Sequence, residues 1–206
     1  MAAAAAAAVE RSDIGQYRGV RLELVTVDAT GAQVDLSCAC MFTHEVDHQP
    51  MAGGLAHLDA ALGGQLAQAR RDGAFRAQPL ETLLITPPAG AAQAPAIVVI
   101  GMGHPEDWSP ATSAAAVACA LRVGHLRGAR SVAIAPSILD TGIHSDEDVN
   151  GPMLHGFKTQ LDALHQLHSL GLAAAPAIEH WVFDTGAAHF PHKLQQYRQA
   201  FASMMG

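Results

Sequence analysis

Polar and apolar positions alternate with period two along Val20-Arg-Leu-Glu-Leu-Val-Thr-Val27 and again along Val34-Asp-Leu-Ser-Cys-Ala-Cys-Met-Phe42, which predicts two strands. Thr30-Gly31 marks a turn between them, so the pair is expected as a hairpin at one side of a sheet. Leu55, Leu58, Leu62 and Leu66 then recur at helical spacing. That helix contains Gly63-Gly64, which costs about 2 kcal/mol against alanine and signals a kink or a close backbone neighbour. Leu80 to Thr86 reads as a strand stopped by Pro87-Pro88, and Ala96-Ile-Val-Val-Ile-Gly101 as a central strand covered on both faces. Ser109-Pro110 opens a helix ending near Leu126, and Ser131 to Ala135 is another short strand. A long helix from Asn150 to Gly171, a sixth strand from Ala177 to Asp184 and a final helix striped by Leu194, Tyr197, Phe201 and Met204 complete the pattern. Strands alternating with helices predict an α/β fold, three-layer α/β/α around a mixed six-stranded sheet. Residues 1–19, with Met1 and seven alanines at their head, are expected as a flexible tail, and 20–206 as a single domain.

Composition narrows the function classes. With 19 acidic and 12 basic side chains the formal charge is −7, which argues against nucleic acid, whose binding needs lysine and arginine to displace counterions. Twelve histidines, half protonated, would carry roughly +6 and explain a pI near 5.9. No run of 18 apolar residues exists, so no membrane span is expected. Three cysteines, Cys38, Cys40 and Cys119, form no CxxC pair and no even framework, which suits buried thiols in a reducing, cytoplasmic setting.

The order of elements resembles the N-terminal domain of the leucyl (cytosol) aminopeptidase family, over roughly residues 20–185. The resemblance rests on Gly53-Gly54-Leu-x-x-Leu-Asp-x-x-Leu-Gly-Gly64, on Ile97-Val-Val-Ile-Gly-Met-Gly-His104 and on the helix Thr112 to Leu121 that follows. It implies a macro-domain-like fold. In that family a larger C-terminal domain hydrolyses peptides with two metal ions, and its hallmark stretches, of the kind NTDAEGR and GKGxxxDSGG, do not occur in this sequence. Asp184-Thr-Gly-Ala matches only at a few letters. The resemblance therefore implies a non-catalytic binding or regulatory module that associates with itself or with a peptidase subunit, with no catalytic residue, metal or cofactor carried over. A homo-oligomer also agrees with base rates.

Some residues carry candidate chemistry. His44-Glu45-Val-Asp47-His48 gathers ligand types suited to a transition metal, with a solvated polar loop as the plainer reading. His165/His168 and His189/His192 are read as surface or helix-end histidines. Gly101-Met-Gly103-His104 follows a buried strand, the place where ligands bind in open α/β sheets, but lacks the third glycine of a dinucleotide loop. Asp140-Thr141-Gly142-Ile-His144 resembles the macro-domain segment that embraces a diphosphate, and Gly53-Gly54 takes the corresponding earlier loop. Backbone amides at helix starts bind anions without lysine. Loops around 53, 102 and 142 are thus expected to line one crevice for a phosphorylated small molecule. An ADP-ribose-like substrate, with Asp140 or His144 as base, is the alternative to the non-catalytic reading. The sequence lacks the asparagine-rich run of hydrolytic macro domains, and no GxSxG elbow is present.

Overall fold

The computed structural model describes residues 9–136, 143 and 148–206. Its elements run β1 (Arg11–Tyr17), β2 (Val20–Val25), β3 (Leu36–Met41), α1 (Gly53–Ala61), α2 (Gln65–Arg71), β4 (Thr82–Ile85) and β5 (Ile97–Gly101). There follow α3 (Pro110–Leu126), β6 (Ser131–Ala135), α4 (Asn150–Ser169), β7 (His180–Asp184) and α5 (Phe190–Met205). The sheet has seven strands in the order β1-β2-β7-β6-β3-β5-β4. The five inner strands are mutually parallel, and β1 and β4 close the two edges antiparallel.

Two expectations are corrected here. The sheet has seven strands, not six, because Arg11–Tyr17, assigned to the tail, pairs with β2 across the tight turn Arg18-Gly19, both residues at positive φ. Nor do β2 and β3 form a hairpin: β2 pairs with β7, and β3 lies between β6 and β5. The physical reason is burial on both faces. All six residues of β3 are buried, with Leu36, Cys38 and Cys40 in one core and Ala39 and Met41 in another, a demand that an outer hairpin strand does not meet.

The larger core joins Leu22, Leu24, Val98, Ile100, Val132, Ile134, Trp181 and Phe183 of the sheet to α3, α4 and α5. Gly156 lets α3 and α4 close up, since a Cβ there would lie 2.5 Å from the carbonyl oxygen of Ala114. The second core sets α1 and α2 against Ala39, Met41, Ile97 and Val99 from the opposite face. Between these helices Gly63 and Gly64 adopt positive φ and split the expected helix in two. As expected, α3 starts at Pro110, where Thr112 Oγ1 accepts from the Ser109 amide. Among the described residues no helix is long and apolar enough to cross a membrane.

Candidate functional site

Because the inner strands are parallel, their C-terminal ends open on one edge, and the loops leaving that edge carry the predicted glycines and histidines. Gly53 and Gly54 begin α1, whose first turn has neither a capping side chain nor an acidic residue. Among the described residues the amides of Gly53, Gly54 and Leu55 meet no acceptor. Unbonded amides at a helix start carry a partial positive charge. Gly54 abuts the loop after β2, where its added Cβ would meet Asp28 Cβ at 3.4 Å.

Asp28 organises that loop. Its carboxylate accepts from the amides of Thr30 and Gly31, each at 2.9 Å, and meets His57 Nδ1 of α1 at 2.9 Å. Burial alone would raise the carboxyl, but hydrogen bonds from Thr30, His57 and Gly31 outweigh it and hold the group below the ordinary carboxylate range. The loop is thereby tied to the start of α1. Sequence reasoning missed Asp28 and His57, although Asp28-Ala-Thr30-Gly31 is a recognisable Asx turn.

Gly101 and Gly103 meet different neighbours. A Cβ on Gly101 would lie 2.1 Å from the carbonyl oxygen of Gln78, and one on Gly103, at φ +78°, would lie 2.8 Å from Pro79 Cγ. Their amides donate inside the protein, Gly101 to the Glu81 carbonyl at 2.7 Å and Gly103 to that of Ala77 at 3.0 Å. Close passage of residues 77–81 requires both glycines. His104 is half exposed and caps a short 3-10 turn, its Nδ1 accepting from the Glu106 amide at 3.4 Å. Asp140, Thr141, Gly142 and His144 lie outside the described residues.

In the 43–48 loop the carboxylates have structural partners. Glu45 accepts from the Phe42 amide at 2.8 Å, and Asp47 pairs with Arg70 of α2 at 2.9 Å. Arg70, buried and also unforeseen, further donates to the carbonyls of Thr43 (2.7 Å) and Phe75 (3.1 Å). His44 shows lowered basicity, first through burial and then through the nearby His104 and His48. Among the described residues no group of three or more histidine, cysteine, aspartate or glutamate side chains has the geometry to hold a metal ion. Burial pushes the thiols of Cys38, Cys40 and Cys119 up, away from the thiolate a nucleophile needs.

A shallow hollow of about 360 Å³ lies at the opposite, N-terminal edge, lined by Asp35, Ala96, Arg127, Gly128 and Arg130 among others. Its polar groups are largely engaged: Asp35 accepts from the amides of Arg130 and Ser131 at 2.7 and 3.0 Å, and Arg130 pairs with Glu179 at 2.7 Å.

A mixed α/β sheet of this order has the fold of a macro-like domain, and solved structures share that fold. A macrodomain from Oceanobacillus iheyensis with ADP superposes with a TM-score of 0.64 at 11% identity, over 97% of this chain and 98% of the other. A Trypanosoma brucei macrodomain in complex with ADP gives 0.57 at 16%, over 87% and 68%. A tomato leucine aminopeptidase mutant gives 0.66 at 16% identity, over 88% of this chain but only 35% of that one, so the chain spans about a third of that relative. No curated protein matches in sequence. The family model for the N-terminal domain of the cytosol aminopeptidase family matches residues 42–147, and the chain belongs to that family.

Proposed function

We propose that this chain is a non-catalytic binding and regulatory module of the aminopeptidase N-terminal type, with an anion-receptive crevice where α1 meets the Asp28 loop. The observation that carries the reading is how the reactive side chains are used. Glu45 and Asp47 are bonded to Phe42 and Arg70, Asp28 to Thr30, Gly31 and His57, and the three thiols are buried. At the start of α1 the groups that face a ligand are main-chain amides, which bind an anion but move no proton, and the exposed His57 further along the helix is tied to Asp28 through Nδ1. Buried, unpaired thiols also favour a reducing compartment such as the cytoplasm. Self-association, or association with a peptidase subunit, completes the reading, and no cofactor enters it. Peptide hydrolysis by the purified chain, assayed with manganese or zinc, tests the proposal: no turnover is expected, and appreciable turnover overturns it.

A second reading, an ADP-ribose-like phosphorylated ligand bound or processed at the same edge, draws support from the amides of Gly53 and Gly54, which meet no acceptor among the described residues. Gly101, Gly103 and His104 would flank that ligand, together with Asp140, Thr141, Gly142 and His144, which follow β6 in the sequence. Calorimetric titration with ADP-ribose and with inorganic phosphate decides it. Heat with ADP-ribose and not with phosphate is its signature, and silence at millimolar ADP-ribose removes it.

A further inference from the structure

The two edges of the sheet are treated differently. Edge β1 is protected: its register slips between Asp13 and Gly15, it carries Arg11 and Asp13, and Arg198 donates twice to the Asp13 carbonyl, at 3.0 and 2.8 Å. A bulge, charges and a covering side chain are the devices that keep a sheet edge from pairing. At edge β4 these features lie outside the strand itself: a bulge precedes it, where Leu80, at positive φ, donates to the Gly101 carbonyl at 2.8 Å while the Gly101 amide donates to Glu81, and Pro79 and Pro87 flank it. Thr82-Leu-Leu-Ile-Thr86 bears no charge, its register with β5 is unbroken, and among the described residues no side chain hydrogen-bonds to its outer main-chain groups.

The direction of its free main-chain groups follows from the register. β4 pairs antiparallel with β5, Leu83 opposite Val99 and Ile85 opposite Ile97, and the Gly101 amide donates to the Glu81 carbonyl. Bonded pairs alternate in such a ladder, so Leu83 and Ile85 turn their N–H and C=O groups toward β5. Thr82, Leu84 and Thr86 turn theirs outward, and among the described residues no hydrogen bond reaches those groups. The same three residues are exposed, Leu84 at 48%.

We infer that β4 is a self-association edge, and that a second copy of this chain adds its own β4 antiparallel across a twofold axis at Leu84. The outward series Thr82, Leu84, Thr86 reads the same in both directions. About that axis each Thr82 faces the partner's Thr86, and Leu84 faces its own image. Threonine pairs and an apolar pair are favourable cross-strand neighbours, and a twofold axis penalises any charge it sets against itself. This strand has none, and the adjoining Glu81 carboxylate is turned inward to the amides of Arg76 and Gln78. A strand offering the same donors, acceptors and side chains in both directions fits itself in an isologous pair. The inference deepens the self-association in the proposed function and rests on that reading.

Sedimentation equilibrium of the full chain, carried to millimolar concentration, tests it. The expected species has about twice the 21.4 kDa chain mass. L84P removes only an outward-facing N–H, a place an edge strand tolerates, and should abolish the dimer. L84K leaves the main chain intact, sets like charges together and should weaken association about tenfold; it carries the test if L84P unfolds. L84C should yield a disulfide-linked dimer on a non-reducing gel, because the three native thiols are buried. A dimer that L84K leaves unweakened overturns the edge but keeps self-association, whereas a wild-type chain monomeric at every concentration overturns both.

Discussion

Arg70 of α2 and Asp47 of the loop after β3 form an ion pair at 2.9 Å in which the guanidinium side chain is only 4% exposed. The same guanidinium holds the carbonyls of Thr43 and Phe75. One side chain thus ties the loop after β3 to the chain leaving α2.

Arg70→Met should cost about 3 kcal/mol, because it strands two carbonyl acceptors in a buried site. Arg70→Lys should recover little of this, since an ammonium cannot reproduce the fork that meets three oxygens. Chemical denaturation of the two variants checks both statements.

Gly101→Ala places a methyl carbon 2.1 Å from the Gln78 carbonyl oxygen, a backbone atom that cannot swing aside. A loss of about 3 kcal/mol, at the upper end for overpacking, is expected. The thermal midpoint should fall by several degrees or more. Gly63→Ala, where a Cβ meets nothing within 4 Å, should cost less, chiefly for its positive φ.

Tyr17 OH donates to Asp162 at 2.8 Å, and Arg18 and Lys158 (3.0 Å) pair with the same carboxylate, which ties the β1–β2 turn to α4. Tyr17→Phe should cost about 1 kcal/mol. In the background of Asp162→Asn the cost should shrink, and a double-mutant cycle by urea denaturation measures the coupling.

Stability should depend on pH through His44. Its folded pKa lies below 6.5, through burial and then the neighbouring His104 and His48, so on acidification the unfolded chain takes up the proton first. The associated stability is complete above 6.5 and declines as pH falls from there through the folded value. His44→Gln should flatten that limb. A second loss belongs to Asp28, Asp35 and Asp162, whose folded pKa values are also depressed. Their contribution is present above about 3.8 and disappears as pH falls through the folded values. Thermal melts across the acid range separate the two limbs.

Most elements could be read from the chain: the apolar run of β5, the Ser109-Pro110 start of α3, the stripes of α4 and α5, and the Gly63-Gly64 break are all local patterns. Strand β1 was hidden because Gly15 and Gly19 interrupt its pattern, yet Gly15 is where the ring of Phe201 packs, a contact supplied by residues far along the chain. Of the candidate site, the helix start at Gly53-Gly54 was legible as a motif. The roles of Gly101 and Gly103 were not, because both depend on residues 77–81 passing over them.

By itself the sequence determined periodicity, helix starts and stops, and the family pattern, since each is a property of neighbouring residues acting on backbone conformation and burial. Strand order was decided by tertiary structure alone. Placing β3 in the middle required both of its faces to find separate cores, and alternation along one strand does not say which partner covers which face. The same holds for carboxylates and glycines. Whether Asp47 meets a metal or Arg70, and whether a glycine serves a ligand or a crossing strand, depends on what the folded chain brings within a few ångströms of it.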